Sequence, residues 1–390
     1  MVKKMSKRVR SLICILFVLI FVFAALSGGL RIMLSNSSNG AFADETTSAK
    51  AMCVMESSTN RVLYFKNHDL KLPMASTTKI MTAITAIENC SDLDKEFEIY
   101  PKAVGIPGTS IYLRKGEVMS TRDLLYGLML VSGNDASVAI AEHVGGNTKN
   151  FVKLMNDTAR KIGAKNSHFD NTHGLDSKTH YTTAYDLALI TSYAFNNPTF
   201  KEIVSTKSTT ITNSDNKVRY LKNKNKLLNL LDGCNGVKTG FTNNAGRCLV
   251  SSCEREGMNI VCVVLNCRPM FEESAKLIDR AFNEYKMFDL TKGYSFDDKI
   301  LVNDGKKEYI SIGTSGQSYF YPLKDEELAK VTYNYSVMQS IDAPVTKGSE
   351  VGEIKIFVDK NLQFSQKIYT MEDVRRKSIW ARVKTLIEQW

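Results

Sequence analysis

Strand-like sequence occurs on both sides of a long helical region, and this arrangement limits the folds open to the chain. Residues 48–66 alternate apolar and polar side chains around the turn residues SSTN. The helical region shows apolar periodicities at 75–90, 121–131, 135–145, 148–163 and 183–195. Strand patterns then return at 207–213, 236–255 and 258–267. A sheet built from both ends of one domain, with a helical cluster between them, is a layered α/β architecture.

The pattern changes again after a helical stretch at 272–287. From residue 289 onward, short strand patterns alternate with turn signals, which is typical of a small all-β module. With 390 residues, the chain is also too long for one ordinary core. We therefore predict an α/β domain at 44–288 and a C-terminal β-rich domain at 289–370, with the boundary near 286–292.

The net charge of +10 is concentrated at the two ends of the chain. Residues 1–43 carry six basic side chains and no acidic one, and the last twenty residues carry five basic and three acidic ones. The body between them, 44–370, has a net charge of only +2 by the same count. A nucleic-acid-binding domain clusters its basic residues on one face of the folded body. The charge distribution therefore argues against nucleic acid as a partner.

The N-terminus has the pattern of an export signal. A positive stretch at 3–10 precedes an unbroken apolar run at 12–26, which is short for a membrane span and typical of a secretory signal. The A-x-A sequence at 41–43 offers a cleavage site after Ala43. We predict that 1–43 is a signal peptide, with an uncleaved membrane anchor or cleavage nearer Ser27 as alternatives.

The C-terminal segment, 371–390, has the pattern of an amphipathic helix. Its apolar residues follow the spacing of one helical face: Ile379, Trp380, Val383, Leu386, Ile387 and Trp390. Its cations supply partners for lipid phosphates: Arg375, Arg376, Lys377, Arg382 and Lys384. Lys and Arg on one face with Trp on the other indicate a helix that lies in the membrane interface. The alternative is a helix packed on its own domain.

Seven of the eight cysteines lie outside the apolar N-terminal run. An odd number with no CxxC pair argues against both a disulfide framework and a zinc site. We expect these cysteines to be small buried hydrophobic residues, and we predict neither a metal nor a cofactor.

Ser76 and Lys79 stand three residues apart at the start of the first helical pattern. One helical turn brings their side chains within reach of each other. The free N–H groups and the dipole at a helix N-terminus stabilise negative charge, and a partly buried lysine has a lowered pKa and can accept a proton. The pair could be a nucleophile with its base. S-x-x-K alone is weak evidence, because it arises by chance in most long proteins.

Two further motifs offer complementary groups. VSGNDAS places Ser132 and Asn134 in a turn between two helices, where Gly133 allows a sharp turn. The hydroxyl can relay a proton, and the amide can hold a peptide carbonyl or the lysine. NGVKTGFT places Lys238 and Thr239 in a strand, where they offer a cation and a hydroxyl to a carboxylate. A plain interhelical turn and an edge strand with a protective lysine are the alternatives.

The order S-x-x-K, S-x-N, K-T-G resembles the motif set of class A β-lactamases and penicillin-binding proteins. From about residue 46 to its C-terminus, the chain resembles the low-molecular-mass penicillin-binding proteins, the serine-type D-alanyl-D-alanine carboxypeptidases of the peptidase S11 family. The phrases FDNTHGLD (169–176), TTAYDLALI (182–190) and APVTKGSEVGEIKI (343–356) carry the same resemblance. It implies a β-lactamase/transpeptidase-like fold, an antiparallel sheet with a helical cluster, plus a small all-β domain.

The resemblance also implies roles for the catalytic residues. Ser76 attacks the carbonyl between the last two D-alanines of a peptidoglycan stem peptide, and Lys79 is its general base. Ser132 passes a proton toward the leaving D-alanine, and water hydrolyses the acyl-enzyme. A β-lactam mimics the substrate and leaves a slow ester on Ser76. The enzyme would act at the outer face of the bacterial cytoplasmic membrane, facing the cell wall.

The substrate-binding residues follow from the same resemblance. Asn134 positions the reacting groups, while Lys238 and Thr239 bind the terminal carboxylate. The backbone N–H groups of Ser76 and Phe241 form the oxyanion hole.

The chain departs from the family pattern at one cation. An arginine commonly follows the K-T-G strand pair and helps to hold the carboxylate, and its place falls near Met270. Arg268, two residues away, is the candidate substitute. We interpret His173 in the HGLD loop as structural, because the S-x-x-K scheme needs no imidazole.

Other functions use the same residues. A β-lactamase would need a deacylating glutamate, and no E-x-x-L-N follows Asn134 before Lys238. A D,D-endopeptidase cutting cross-links stays open, since sequence barely separates it from the carboxypeptidase. A penicillin-binding sensor that acylates without turnover also stays open, and the missing arginine is compatible with it.

Overall fold

Strand, helix and strand regions follow one another along the chain in the predicted order. The computed structural model describes residues 42–44, 46–294, 299–380, 383 and 387. The chain enters the fold through β1 (Phe42–Ala43), β2 (Ala51–Glu56) and β3 (Arg61–Lys66). Apart from Phe42 and Ala43, the predicted signal peptide lies outside the described residues. Cleavage after Ala43 would separate β1 from β3, with which it pairs in parallel.

The middle region carries helices and two short strand pairs. The helices are α1 (Lys79–Asn89), α2 (Thr121–Tyr126), α3 (Asn134–Gly145), α4 (Thr148–Ile162), α5 (Ala184–Ala194) and α6 (Pro198–Ser205). The strand pairs join β4 (Glu96–Glu98) to β5 (Val118–Ser120) and β6 (Ser208–Thr212) to β7 (Val218–Lys222). The sequence patterns predicted these helices except α6, which begins with the side chain of Asn197 accepting from two backbone N–H groups.

The first domain closes with α7 (Leu227–Leu230), β8 (Cys234–Thr242), β9 (Gly246–Arg255), β10 (Met258–Leu265) and α8 (Met270–Glu284). The pattern at 236–255 divides into two strands, since the chain reverses between Thr242 and Gly246. The sheet order is β1-β3-β2-β10-β9-β8, so strands from both ends of the domain meet at its centre. This confirms the predicted fold class.

Each face of this sheet has its own core, because successive side chains of a strand point to opposite faces. Cys53, Val250 and Val263 pack into the core of the helical cluster. Met52 and Leu249, each next to one of these in sequence, pack into the core under α8. The sheet is therefore buried on both sides, and β8 is its last strand.

The C-terminal strands form a separate core. They are β11 (Lys286–Asp289), β12 (Lys299–Asn303), β13 (Tyr309–Thr314), β14 (Phe320–Leu323), β15 (Val331–Val337), β16 (Ser340–Asp342), β17 (Glu350–Val358) and β18 (Asn361–Thr370). Strand β11 pairs with β14, and the others form a sheet in the order β15-β17-β18-β13-β12-β16. Buried side chains from these strands, such as Ile310, Ile354 and Ile356, form the core.

The predicted tail helix is described only in part. Ile379, Trp380, Val383 and Ile387 are helical and exposed. Leu386 and Trp390 lie outside the described residues. No helix in the described part of the chain has the length and apolar character needed to cross a membrane.

Candidate active site

Ser76 lies in a single 3-10 turn, Ala75–Thr78, and Lys79 is the first residue of α1. The α-helix therefore starts later than the periodicity at 75–90 predicted. Ala75 has a φ of +49°, a left-handed conformation that is costly for a residue with a side chain. The Thr78 hydroxyl donates to the Ala75 carbonyl oxygen at 2.8 Å and holds the turn. Gly174 packs against the same carbonyl, where any side chain would overlap it.

A buried histidine supports this turn from behind. The backbone N–H of Asp170 donates to Nδ1 of His180 at 3.0 Å, so the ring proton lies on Nε2. Nε2 is 2.8 Å from the Thr78 hydroxyl and donates to it. Desolvation by burial lowers the pKa of His180 to about 4, which keeps the ring neutral. No sequence motif marks His180.

The Lys79 amine is fully buried among three oxygen atoms. Its Nζ lies 3.0 Å from Ser76 Oγ, 2.7 Å from Asn134 Oδ1 and 2.7 Å from the His173 carbonyl oxygen. Desolvation, with repulsion from Lys238, holds the pKa of Lys79 well below its usual range. A neutral amine donates two hydrogens, which the Asn134 and His173 oxygens accept. In that neutral form, the lone pair is left to accept the hydrogen of the Ser76 hydroxyl, 3.0 Å away.

The S-x-N segment turns differently from our prediction. A π-helical turn, Gly127–Val131, follows α2, and Ser132 takes the left-handed conformation at φ +72°. Gly133 has a φ of −58°, which any residue can adopt, so glycine is needed here for its small size and not for its backbone freedom. A Cβ atom at Gly133 would lie 3.2 Å from an Ile111 methyl group and 3.3 Å from the Ala136 Cβ.

The side-chain amide of Asn134 faces Lys79. Asn134 is the first residue of α3, and its Nδ2 donates to the Pro107 carbonyl oxygen at 2.6 Å. This contact orients the amide so that its oxygen faces Lys79. The hydroxyl of Ser132 is buried and has no hydrogen-bond partner among the described residues. An unpartnered buried hydroxyl is costly unless a bound molecule satisfies it.

Asp135 holds the loop that borders the S-x-N segment. Its carboxylate accepts from the Ser110 hydroxyl at 2.5 Å and from the N–H groups of Ile111 and Leu113 at 3.0 Å. Tyr112, between them, has a φ of +59° and is 80% exposed. No sequence motif predicted this loop.

The K-T-G residues lie on β8, at the edge of the sheet. Lys238 is buried, with its Nζ donating to the Thr239 carbonyl oxygen at 3.1 Å, so it is not an exposed lysine that protects the edge. Desolvation, with repulsion from Lys224, lowers the pKa of Lys238 to about 7. A Cβ atom at Gly240 would lie 3.1 Å from the backbone nitrogen of Ser76. The strand therefore passes close against the Ser76 turn, and the three motifs meet in one site.

Comparison with known proteins identifies the family of this chain. A model of the D-alanyl-D-alanine carboxypeptidase family, peptidase S11, matches residues 38–268. The chain belongs to this family. A second model, the C-terminal domain of penicillin-binding protein 5, matches residues 284–376. The chain is a low-molecular-mass penicillin-binding protein with a serine peptidase domain and a C-terminal all-β domain.

Individual relatives span nearly the whole chain. D-alanyl-D-alanine carboxypeptidase DacF of Bacillus subtilis is 31% identical over 349 residues, 88% of this chain and 90% of the relative. DacC of Escherichia coli is 32% identical over 368 residues, with the same coverage. The structure of penicillin-binding protein 5 from Haemophilus influenzae superposes with a TM-score of 0.70 at 27% identity and covers 85% of this chain and 99% of that one.

Two cations of this S11 peptidase, Lys224 and Arg247, were not predicted from the sequence. The backbone N–H of Lys224 donates to the Leu130 carbonyl oxygen at 3.1 Å, just before Ser132. Its charge contributes to the lowered pKa of both Lys79 and Lys238.

Arg247 is the second of these cations. It lies directly opposite Phe241 on β9, with its guanidinium 5.6 Å from the exposed ring. Neither Lys224 nor Arg247 belongs to a sequence motif. The position of Arg247, on the strand that pairs with the K-T-G strand, is the one signal that could have indicated it.

The position of the family arginine holds a core residue. Met270 is the first residue of α8 and is buried in the core under that helix. Arg268 is exposed, and its carbonyl oxygen accepts from the Ser48 hydroxyl at 2.8 Å. The role of Arg268 stays a prediction. His173 contributes its carbonyl to Lys79, while its Nδ1 accepts from the Leu175 N–H within the same loop.

Proposed function

We propose that this enzyme removes the terminal D-alanine from peptidoglycan stem peptides through an ester on Ser76. The observation that carries this proposal is the environment of Lys79. Its buried amine faces Ser76 Oγ, while two carbonyl oxygens occupy its hydrogens. Burial holds the pKa of this amine well below its usual range, which favours the uncharged form that takes the serine proton as general base.

Acylation then proceeds in balanced steps. Ser76 Oγ bonds to the carbonyl carbon between the two D-alanines as its proton moves to Lys79. The N–H groups of Ser76 and Phe241 stabilise the oxyanion. The amide C–N bond breaks, and the Ser132 hydroxyl relays the proton to the leaving D-alanine nitrogen. Asn134 keeps Lys79 oriented through its side-chain oxygen.

Lys238 and Thr239 bind the carboxylate of the leaving D-alanine. A carboxylate beside Lys238 favours the protonated amine and forms a charge-assisted hydrogen bond with it. Deacylation repeats the chemistry with water: the water loses a proton, attacks the ester carbonyl and returns a proton to Ser76. A β-lactam acylates Ser76 in the same way, but its leaving nitrogen stays attached to the adduct.

The direct test follows both half-reactions. The full chain is incubated with a labelled penicillin and, separately, with a stem peptide ending in D-Ala-D-Ala, beside Ser76→Ala. We expect a penicilloyl adduct on Ser76 with release of free D-alanine, and neither for Ser76→Ala. An adduct without D-alanine release would instead favour the endopeptidase or the sensor. No adduct at all would contradict the proposal.

We further propose that the enzyme is exported and works at the outer face of the cytoplasmic membrane. The positive and apolar pattern at 1–26 supports export. The exposed side chains of Ile379, Trp380, Val383 and Ile387, beside Arg375 and Lys377, support binding of the segment 371–390 to lipid. The C-terminal β-rich domain, 289–370, would hold the active site away from the membrane and near the wall.

Deleting 371–390 tests the membrane contact. We expect the truncated, signal-processed protein to lose most of its binding to vesicles of anionic lipid, because the apolar face and five cations are removed. Sedimentation with the vesicles measures this binding, and penicillin acylation serves as the control for folding. Equal sedimentation of the two proteins would refute the membrane role.

A further inference from the structure

Two cysteines face each other at the base of the K-T-G hairpin. Cys234 begins β8, Cys253 lies near the end of β9, and the two residues are direct partners across the strands. The other described cysteines have no cysteine opposite them in a strand pair. Cys234 lies four residues before Lys238 on β8.

The ladder places this pair at a favourable rung. The N–H of Glu254 donates to the Gly233 carbonyl oxygen at 2.9 Å, so Gly233 and Glu254 form a hydrogen-bonded pair next to the two cysteines. Rungs alternate in an antiparallel pair, and Cys234 and Cys253 therefore occupy a non-hydrogen-bonded rung. In such rungs the Cα atoms are about 4.5 Å apart and the side chains are closest. Disulfides accept Cα separations of about 4.4 to 6.8 Å.

The two thiols have different chemical environments. Cys253 is fully buried in the core under α8, while Cys234 is only partly buried and packs against that core. A hydrogen bond from Cys253 stabilises the Cys234 thiolate and lowers the pKa of Cys234. The same contact, with desolvation, raises the pKa of Cys253. Cys234 is thus the accessible attacking thiol, and Cys253 is the resolving thiol behind it.

We propose that Cys234 and Cys253 form a disulfide when the protein meets a disulfide-bearing oxidant. The Cys234 thiolate attacks one sulfur of the oxidant and forms a mixed disulfide. The S–S bond of the oxidant breaks in this step and releases its first thiol. Cys253 then loses its proton and attacks Cys234 Sγ, which breaks the mixed disulfide and releases the second thiol. Two electrons and two protons pass from the cysteine pair to the oxidant, which is reduced.

The disulfide would close the hairpin that carries the K-T-G residues. Asn225 Nδ2 donates at 2.6 Å to the Gly236 carbonyl oxygen, two residues beyond Cys234. The start of β8 is therefore held from one side already, and the disulfide would fix it to β9 as well. A cross-link over a loop of this length stabilises mainly by restricting the unfolded chain. Lys238 and Thr239 are not moved, so penicillin acylation of Ser76 should persist.

The test uses the full chain, purified in detergent with a reductant and then exposed to oxidised glutathione. We expect the intact mass to fall by about 2 Da, from loss of two hydrogens. A non-reducing peptide map should link Cys234 to Cys253. The melting temperature should rise by roughly 5 °C relative to the reduced protein.

Matched variants distinguish this pair from other thiols. Cys90→Ser, a half-buried cysteine outside the sheet, should still form the link. Cys253→Ser should instead retain glutathione on Cys234, with Cys234→Ser as the alternative if Cys253→Ser does not fold. A wild-type protein that keeps glutathione on Cys234, or whose Cys234 still reacts with iodoacetamide after oxidation, would overturn the proposal. If the Cys234–Cys253 disulfide forms but the enzyme releases no D-alanine, the result would contradict the proposed function and not the disulfide.

Discussion

Replacing Lys79 with methionine is expected to lower the rate of penicillin acylation about 10³- to 10⁴-fold. Methionine fills a similar volume but has no group that accepts the proton of Ser76 Oγ. The change also leaves the oxygens of Asn134 and His173 without the donor that they now share. Part of the loss will therefore appear as lower stability, which the melting temperature measures separately.

The pH dependence of acylation tests whether Lys79 is the general base. Burial and the neighbouring cations lower the pKa of Lys79, so the amine becomes protonated and inactive only as the pH falls through that lowered value. The wild-type rate should show this acid limb, and the residual rate of Lys79→Met should not. Lys153→Met, on the exposed side of α4, is the control and should match wild type. Retention of the acid limb in Lys79→Met would contradict the assignment.

A second limb is expected from Lys238. Its pKa of about 7 means that the amine of the free enzyme loses its charge as the pH rises above neutrality. The kcat/KM for a substrate with a free carboxylate should fall over the same range, because the charge-assisted contact is lost. A stem peptide ending in a carboxamide should lack this dependence. Together, the two lysines require opposite protonation states for activity.

The motifs of the proposed active site could be located in the sequence because each is short and local. Ser76 and Lys79 are joined by one helical turn, and Lys238 and Thr239 are adjacent in one strand. The residues that support them were not predictable in this way. His180 reaches the Ser76 turn through Thr78, 102 positions away, and Lys224 acts on Lys79 through space. Contacts of this kind depend on the fold and leave no local pattern.

The limits of the fold prediction have similar causes. The helices with long apolar periodicity were found, and α6 was missed because eight residues give too few turns for a clear period. The hairpin between β8 and β9 was read as one strand pattern, since NNAG interrupts an apolar run only briefly. At Ser132 the sequence suggested that Gly133 takes the unusual backbone conformation. The structure gives that conformation to the serine, whose buried hydroxyl has no hydrogen-bond partner among the described residues.

Replacing Arg61 with alanine should uncouple the two domains of this penicillin-binding protein. Arg61 lies on β3, and its guanidinium forms an ion pair at 2.6 Å with Glu327 of the C-terminal domain. It also donates to the Pro322 carbonyl oxygen and lies between the rings of Tyr285 and Tyr321, at 5.4 and 5.2 Å. Both charged side chains are less than 10% exposed. Removing one partner of a buried ion pair costs about 3 to 5 kcal/mol.

The free energy lost in Arg61→Ala stabilised the contact between the domains and not the core of either domain. We therefore expect calorimetry to show one unfolding transition for the wild type and two for Arg61→Ala, with the first of the two at lower temperature. Arg122→Ala removes an exposed contact with Asp94 inside the first domain, and its unfolding should match the wild type within error. One unshifted transition for Arg61→Ala would mean that the ion pair contributes nothing to the coupling. Because Arg61 lies across the sheet from Ser76, acylation at low temperature should be unchanged in either case.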